Sequence, residues 1–226
     1  MFNSFKVAAF AAPLVLASAA QAIPVSIGLQ EAGYNSGNVT TEVNQNQSGS
    51  SVFAGSYGTF SASVDTSLEF NNLPYGDLNS TSDDSVSTGG AGTLKIYISE
   101  QNVFIPQGGS GFQGFLNAFT TNLLGTSGFT VTESTYLNSD NTQYSTEMLL
   151  GTATFTSGLQ TSSVFDNPYL TQGEYSIVQV YTITASGAGS ANNTIDTTLE
   201  APEPASMVLL GSGLFGLGFL RRRFKI

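Results

Sequence analysis

The sequence predicts an all-β fold: an antiparallel β-sandwich of jelly-roll-like type with one short helix, set between an N-terminal signal peptide and a C-terminal transmembrane helix. Three observations predict it. Apolar residues recur in short runs that alternate with polar ones, the period of a strand with one buried face. Ser, Thr, Asn and Gly punctuate these runs, as turn-forming residues do. The two long uncharged apolar stretches lie at the ends of the chain. The expected divisions are residues 1–22, 23–200 and 201–226, with the span at 205–220.

The first element is the leader. Lys6 is its only charge, and Val7 to Ala17 is an almost unbroken apolar run. Ala20 and Ala22 then give the small-x-small cleavage pattern, which completes a secretory signal peptide. Roughly 11 apolar residues with no polar face suit a translocon better than an amphipathic packing site. The expected partners are the secretion translocon and signal peptidase.

The body follows. Val52–Ala54, Thr59–Ser61, Val64–Phe70, Thr93–Ile98, Phe129–Thr132, Met148–Thr156 and Glu174–Ala185 read as strands by alternation and by β-branched and aromatic content. Asn35–Gly49 and Asn71–Gly92 are polar enough to read as long loops. Phe112, Phe115, Leu116, Phe119 and Leu123 follow the spacing i, i+3, i+4, i+7, i+11, which predicts a helix over about 112–124 capping an open end of the sandwich. No repeat of fixed period is apparent, so the body reads as one domain.

The last element is the tail. Pro202-Glu203-Pro204 precedes the uncharged run Ala205–Leu220, and Arg221, Arg222, Arg223 and Lys225 follow. Sixteen helical residues span about 24 Å, short of the ~30 Å hydrocarbon core. Gly211, Gly213, Gly216 and Gly218 weaken this helix further and permit close approach of another. Such a span suits a temporary stop better than a lasting anchor. The arginines fix the cytoplasmic side. The two prolines hold Ala201 and Glu203 extended, as a protease requires.

A Pro-Glu-Pro triplet, a short apolar helix and an arginine cluster, in that order, resemble the PEP-CTERM sorting signal of Gram-negative bacteria. The resemblance covers about the last 25 residues. It implies recognition by exosortase, an integral-membrane cysteine protease, with Pro202, Glu203 and Pro204 as the recognised triplet and Arg221–Arg223 as the retention cluster. The same tag is also labelled an ice-binding protein C-terminal domain, which says nothing of the passenger. The order GTLKIYISEQ, GFTVTESTY, YSIVQVYTITA resembles the bodies of other PEP-CTERM passengers. The implied role is an exported protein held transiently at the inner membrane, then released to the cell surface or an exopolysaccharide matrix.

Composition narrows the body's chemistry. Of sixteen acidic residues only Glu203 lies outside 23–200, whereas Lys95 is the one basic residue within it, a net of about −14. Such a surface repels nucleic acid and favours divalent cations. There is no cysteine, so the core alone must stabilise an exported domain. There is no histidine either, which excludes Ser-His-Asp and Cys-His catalysis and His-built metal sites.

Carboxylate chemistry remains, with Glu133 and Asp166 as possible members of a glycosidase pair, although a non-enzymatic role is expected. Calcium is the one cofactor considered. Asp83-Asp84 and the loop Asn138–Asn141, with Asp140, offer hard oxygen ligands without EF-hand spacing. Gly109–Gly114 matches G-x-G-x-x-G, and a flexible turn before the helix explains it better than a dinucleotide site. Thr152, Thr154 and Thr156, with Thr182 and Thr184, form the short threonine rows of an ice-binding face or of any solvated strand. The alternative to a matrix component is a carbohydrate-binding module whose Tyr97, Tyr136, Tyr175 and Tyr181 line a sugar groove.

Overall fold

The computed structural model describes residues 23–45, 49–71, 77–105, 114–125, 128–170 and 173–200. The expected leader, the Pro-Glu-Pro triplet and the expected span lie outside these residues. Among the described residues, twelve strands form two antiparallel six-stranded sheets. The first sheet contains β1 (Val25–Glu31), β2 (Thr40–Gln45), β6 (Gly92–Ile105), β8 (Phe129–Asn138), β9 (Met148–Phe155) and β11 (Gly173–Ala185), in the order β2-β1-β6-β11-β8-β9. The second contains β3 (Ser50–Tyr57), β4 (Phe60–Asn71), β5 (Asp77–Thr88), β7 (Gly114–Leu124), β10 (Gln160–Asp166) and β12 (Gly189–Glu200), in the order β10-β7-β12-β5-β4-β3. From β5 to β8 the chain changes sheet at every step, and β11 and β12 return between those strands. This is the winding of a jelly roll, and it agrees with the expected class.

Each sheet buries its inner face, and the first also covers Tyr97, Val178 and Val180 on its outer face. In β6, Leu94, Ile96 and Ile98 point inward, and in β11 Ile177, Tyr181 and Ile183 do the same. Their β-branched and aromatic side chains fit a pleated, covered surface. Burying each such side chain contributes about 1.5–3 kcal/mol. One apolar cluster gathers Ile27, Leu29, Phe60, Val64, Leu94, Ile96, Phe119 and Ile183. A second gathers Ile23, Val103, Phe115, Leu137, Leu150, Tyr175, Ile177 and Leu199. Between them in register lies a layer of buried polar residues.

Five of the seven expected strands fall within observed ones, and the other two overrun by one residue: Thr59 lies in the turn before β4, and Thr156 just past β9. The helix does not. From Gly114 onward the segment is β7, paired with β10 and β12. Phe115 and Phe119 are four apart, a spacing that returns to the same face in a helix and also in a strand. The strand reading differs at i+2, where Asn117 and Thr121 point inward and are buried, and at Leu116 and Leu123, which leave the buried face. Polar residues at those positions hid the period of two.

The two long loops are also corrected. Asn71–Gly92 contains β5, whose inward residues Ser80, Ser82 and Asp84 are polar and buried, so no apolar alternation marks it. Asn35–Gly49 contains a 3-10 turn, Asn35–Gly37, and then β2. Strands β1, β10 and β12 add to the expected set.

Candidate functional site

The most unusual chemistry of this protein is inside it. Asp84 on β5 and Glu133 on β8 point into the sandwich from opposite sheets, 1% and 0% exposed. Asp84 pairs with Asn193 of β12, and Asn193 pairs with Thr121 of β7, so these three side chains stand abreast on the inner face. Asp84 Oδ1 accepts from the Asn193 backbone N–H at 3.0 Å and from Asn193 Nδ2 at 2.7 Å. A β-bulge between Asn192 and Asn193 breaks the regular register of β12 against β7 beside this row. Glu133 reaches across from the first sheet, and its Oε2 accepts from the Thr120 N–H at 3.1 Å.

Four oxygens in this cluster have no hydrogen-bond partner: Asp84 Oδ2, Glu133 Oε1, Thr121 Oγ1 and Asn193 Oδ1. Burial pushes the Asp84 carboxyl up to about 8. Burial, reinforced by the Asp84 charge, pushes Glu133 up to about 9. Both therefore hold a proton at neutral pH unless a cation replaces it.

Tyr181 ties the sheets together next to this row. Its Oη donates to the Ser82 carbonyl at 2.5 Å, accepts from the Ile195 N–H at 2.9 Å and lies 2.8 Å from Ser82 Oγ. Burial and then the neighbouring Asp84 raise its pKa well above the usual phenol range. Further along, Ser80 Oγ donates to Glu100 Oε1, and Gln179 Nε2 donates to the Ser80 carbonyl and to Thr197 Oγ1. Burial pushes Glu100 up to about 7.

A second candidate lies on the surface. Tyr34, Asn35, Thr40, Glu42, Ser56 and Tyr57 line an open depression of about 510 Å³. Its shape comes from the β1–β2 connection, where Asn35 and Ser36 both take positive φ. Tyr34 is 47% exposed and meets Tyr57 edge to face at 4.8 Å. Asn35 Nδ2 donates to Thr40 Oγ1 at 2.7 Å, and that hydroxyl lies 2.8 Å from Tyr57 Oη. Behind it, Glu31 clasps the β3–β4 turn by accepting from the Thr59 N–H and hydroxyl, at 3.0 and 2.6 Å. Gly58, at φ +58°, makes room for that carboxylate. One exposed aromatic face beside amide, hydroxyl and carboxylate groups can stack on and hydrogen-bond a polar ring.

The structure redistributes the residues singled out from sequence. Asp83 and Asp84 are successive residues of a strand, not a loop, and face opposite sides. Asp83 is outside, accepting from Thr194 Oγ1 at 2.5 Å, so the two cannot share one ion. Asp140 caps its own turn by accepting from the Thr142 N–H at 3.1 Å, and hydrogen bonding from Thr142, its hydroxyl first and its N–H second, lowers its pKa. No group of three or more carboxylates that could grip a metal occurs among the described residues. Glu133 and Asp166 do not face each other. Asp166 pairs with Phe115 and Glu133 reaches Thr120, five residues away on β7, or roughly 17 Å of strand.

The four tyrosines do not line a groove. Tyr175 and Tyr181 are core residues, and Tyr97 is buried beside Tyr144, 5.9 Å between ring centres. Tyr136 packs at the edge of that same small cluster. The threonine rows merge into one outer face of the first sheet. Thr154 pairs with Thr132 at 2.9 Å, Thr93 with Thr184 at 3.2 Å, and Thr152 with Ser134 at 2.8 Å. Thr182 shares the register of Thr132, while Thr156 lies beyond the end of β9. Most of the G-x-G-x-x-G segment lies outside the described residues, and Gly114 opens a strand instead of a helix. Ala20, Ala22, Pro202, Glu203, Pro204 and Arg221–Arg223 lie outside them as well.

Sequence reasoning missed Tyr34 and the Asp84–Glu133 row. An aromatic inside the turn-forming string Gly33-Tyr34-Asn35-Ser36-Gly37 was a usable signal for the first. Nothing local marks the second, because its members are far apart in the chain.

Comparison with known proteins gives one specific match and several distant ones. No curated protein matches the chain. Among solved structures it is similar to the K1 cleaved adhesin domain of Lys-gingipain from Porphyromonas gingivalis W83, at 11% identity and TM-score 0.37, covering 69% of this chain and 92% of that one. It is similar to TmCBM61, solved in complex with β-1,4-galactotriose, at 10% identity and TM-score 0.32, covering 65% and 91%. The third is the C-terminal family 22 carbohydrate binding module of Clostridium thermocellum Xyn10B, at 16% identity and TM-score 0.28, covering 65% and 86%. Scores this low carry no functional weight. The PEP-CTERM protein-sorting motif matches residues 200–223, spanning the Pro-Glu-Pro triplet, the apolar run and the arginines. This chain therefore carries a PEP-CTERM protein-sorting motif at residues 200–223.

Proposed function

We propose that this chain is exported through its leader, stopped at the inner membrane by residues 205–220, and released by an exosortase-type protease to the cell surface or an exopolysaccharide matrix. The observation that carries this reading is the sorting motif at residues 200–223. The physical support is the short, glycine-rich span with arginines behind it, marginal as an anchor and suited to removal. The strongly acidic, cysteine-free body is in keeping with a soluble passenger. Mass spectrometry of the mature protein, from cells with and without the membrane protease, tests the proposal. Loss of everything after the Pro-Glu-Pro region only when the protease is present is expected. An intact C-terminus in both samples refutes it.

A second reading concerns what the passenger holds. The Tyr34 depression supports a sugar-binding role, with the ring as stacking platform and Asn35, Thr40 and Glu42 as hydroxyl partners. A glycan array probed with the native chain and with Tyr34→Ala tests this. Binding that the variant lacks supports the reading, and an array silent to the native chain removes it.

A further inference from the structure

We infer that the interior row formed by Asp84, Glu133, Asn193 and Thr121 is a structural calcium site built between the two sheets. The inference does not depend on how the chain is sorted or on whether the surface depression binds sugar.

Four oxygens from four strands carry it. Asp84 Oδ2, Glu133 Oε1, Asn193 Oδ1 and Thr121 Oγ1 are all unpartnered, on residues no more than 1% exposed. A buried polar atom without a partner keeps the full cost of losing its water. Four in one row therefore amount to a large unmet demand. With both carboxylates ionised all four are acceptors, and only the threonine hydroxyl can also donate. Hydrogen bonding within the row then cannot satisfy them all, and either protons on the carboxyls or a cation must do so.

Each carboxylate is held by one of its two oxygens. Asn193 fixes Asp84 through two bonds to Oδ1, leaving Oδ2 free. The Thr120 N–H holds Glu133 by Oε2, leaving Oε1 free. In each carboxylate one oxygen is used for orientation and the other is left open, as in the outer-shell support of metal ligands. Backbone pairing sets Asp84 beside Asn193 and Asn193 beside Thr121, at neighbouring-strand spacing of roughly 5 Å.

The chemistry selects the ion. Two carboxylates supply two negative charges, which a divalent cation neutralises. All the ligand atoms are hard oxygens, and calcium takes six to eight of these in flexible geometry. Bound water would fill the remaining positions. Among the described residues no side-chain cation is within reach to do the same work. Lys95 is the one basic residue between 23 and 200, and it lies between the inward-facing Leu94 and Ile96, on the outer face of its sheet.

The test uses the full chain. The purified protein is unfolded in guanidinium, refolded with either calcium chloride or a calcium chelator, and freed of excess ion by gel filtration. Elemental analysis is expected to find about one calcium per chain after the first treatment and none after the second. Melting is expected to occur roughly 5–10 °C higher in the calcium-refolded sample. Glu133→Gln and Asp84→Asn should abolish both effects, and Asp83→Asn, on the outer face, should keep both. Should a variant fail to fold, the metal content of the native chain decides alone. A native chain that refolds metal-free in calcium, with the same melting temperature in chelator, overturns the site. It would mean that protons and water occupy the row instead.

Discussion

The two sheets of this sandwich face the same interior with different materials. The first sheet presents Leu94, Ile96, Ile98, Val131 and Ile183, a conventional apolar surface interrupted by Glu100, Glu133 and Gln179. The second presents Ser80, Ser82 and Asp84 on β5, Asn117 and Thr121 on β7, and Asn193 and Thr197 on β12, with Phe115, Phe119 and Ile195 among them. One sheet supplies most of the hydrophobic driving force. The other supplies most of the partners for a buried hydrogen-bonded layer. Such a layer adds specificity to the register only when its members are satisfied, because each unsatisfied one is costly at low dielectric.

That contrast can be broken most severely at the apolar islands of the second sheet. Phe119 lies over Gly151 of the first sheet, where an added Cβ would come within 3.3 Å of its ring. Phe119→Ala should destabilise by about 3–5 kcal/mol in guanidinium unfolding, more than a typical substitution, because few neighbours on its own sheet can fill the cavity.

A smaller loss tests the polar layer. Tyr181→Phe keeps the ring and removes the oxygen that accepts from Ile195 N–H and donates to Ser82. The cost should be about 2–3 kcal/mol, measured by the same unfolding curves. A near-neutral result would show that water replaces the phenol and that the layer is wet.

The smallest effect sharpens the comparison through pH. Glu100 is raised from 4.5 to about 7 by burial, so the folded state holds its proton where the unfolded chain has released it. Its contribution is complete below about pH 4.5 and is lost as pH rises to 7. Glu100→Gln should flatten that part of the stability–pH profile. Its advantage over the native chain at pH 8 should be on the order of 2 kcal/mol. Parallel profiles for the two proteins would show that Glu100 is solvated in solution.

The legible elements follow the same division. Strands β6, β8, β9 and β11 were readable because apolar residues recur at alternate positions over part of each, as at Leu94, Ile96 and Ile98 of β6 and Phe129 and Val131 of β8. In the second sheet, β3 and β4 were readable for the same reason through Phe53, Phe60 and Val64. Strand β5 was read as loop because Ser80, Ser82 and Asp84 stand where apolar residues were expected. Strand β7 was read as helix because Asn117 and Thr121 left only the four-residue spacing of Phe115 and Phe119. A polar residue that is buried looks the same in sequence as one that is solvated. The surface tyrosines show the converse error: Tyr175 and Tyr181 were expected in a groove and are core, while Tyr34, unremarked, is exposed.

By itself the sequence determined the sandwich class, the acidic and cysteine-free character of the body, and the sorting motif at its end. Each of these depends on composition or on neighbours along the chain. Only the tertiary structure decided that Asp84 and Glu133 share an interior row, since β5, β7, β8 and β12 meet there through pairings of up to 109 residues' separation. Local sequence specifies which face of a strand a side chain takes. Which side chain it then meets depends on the winding of the whole chain.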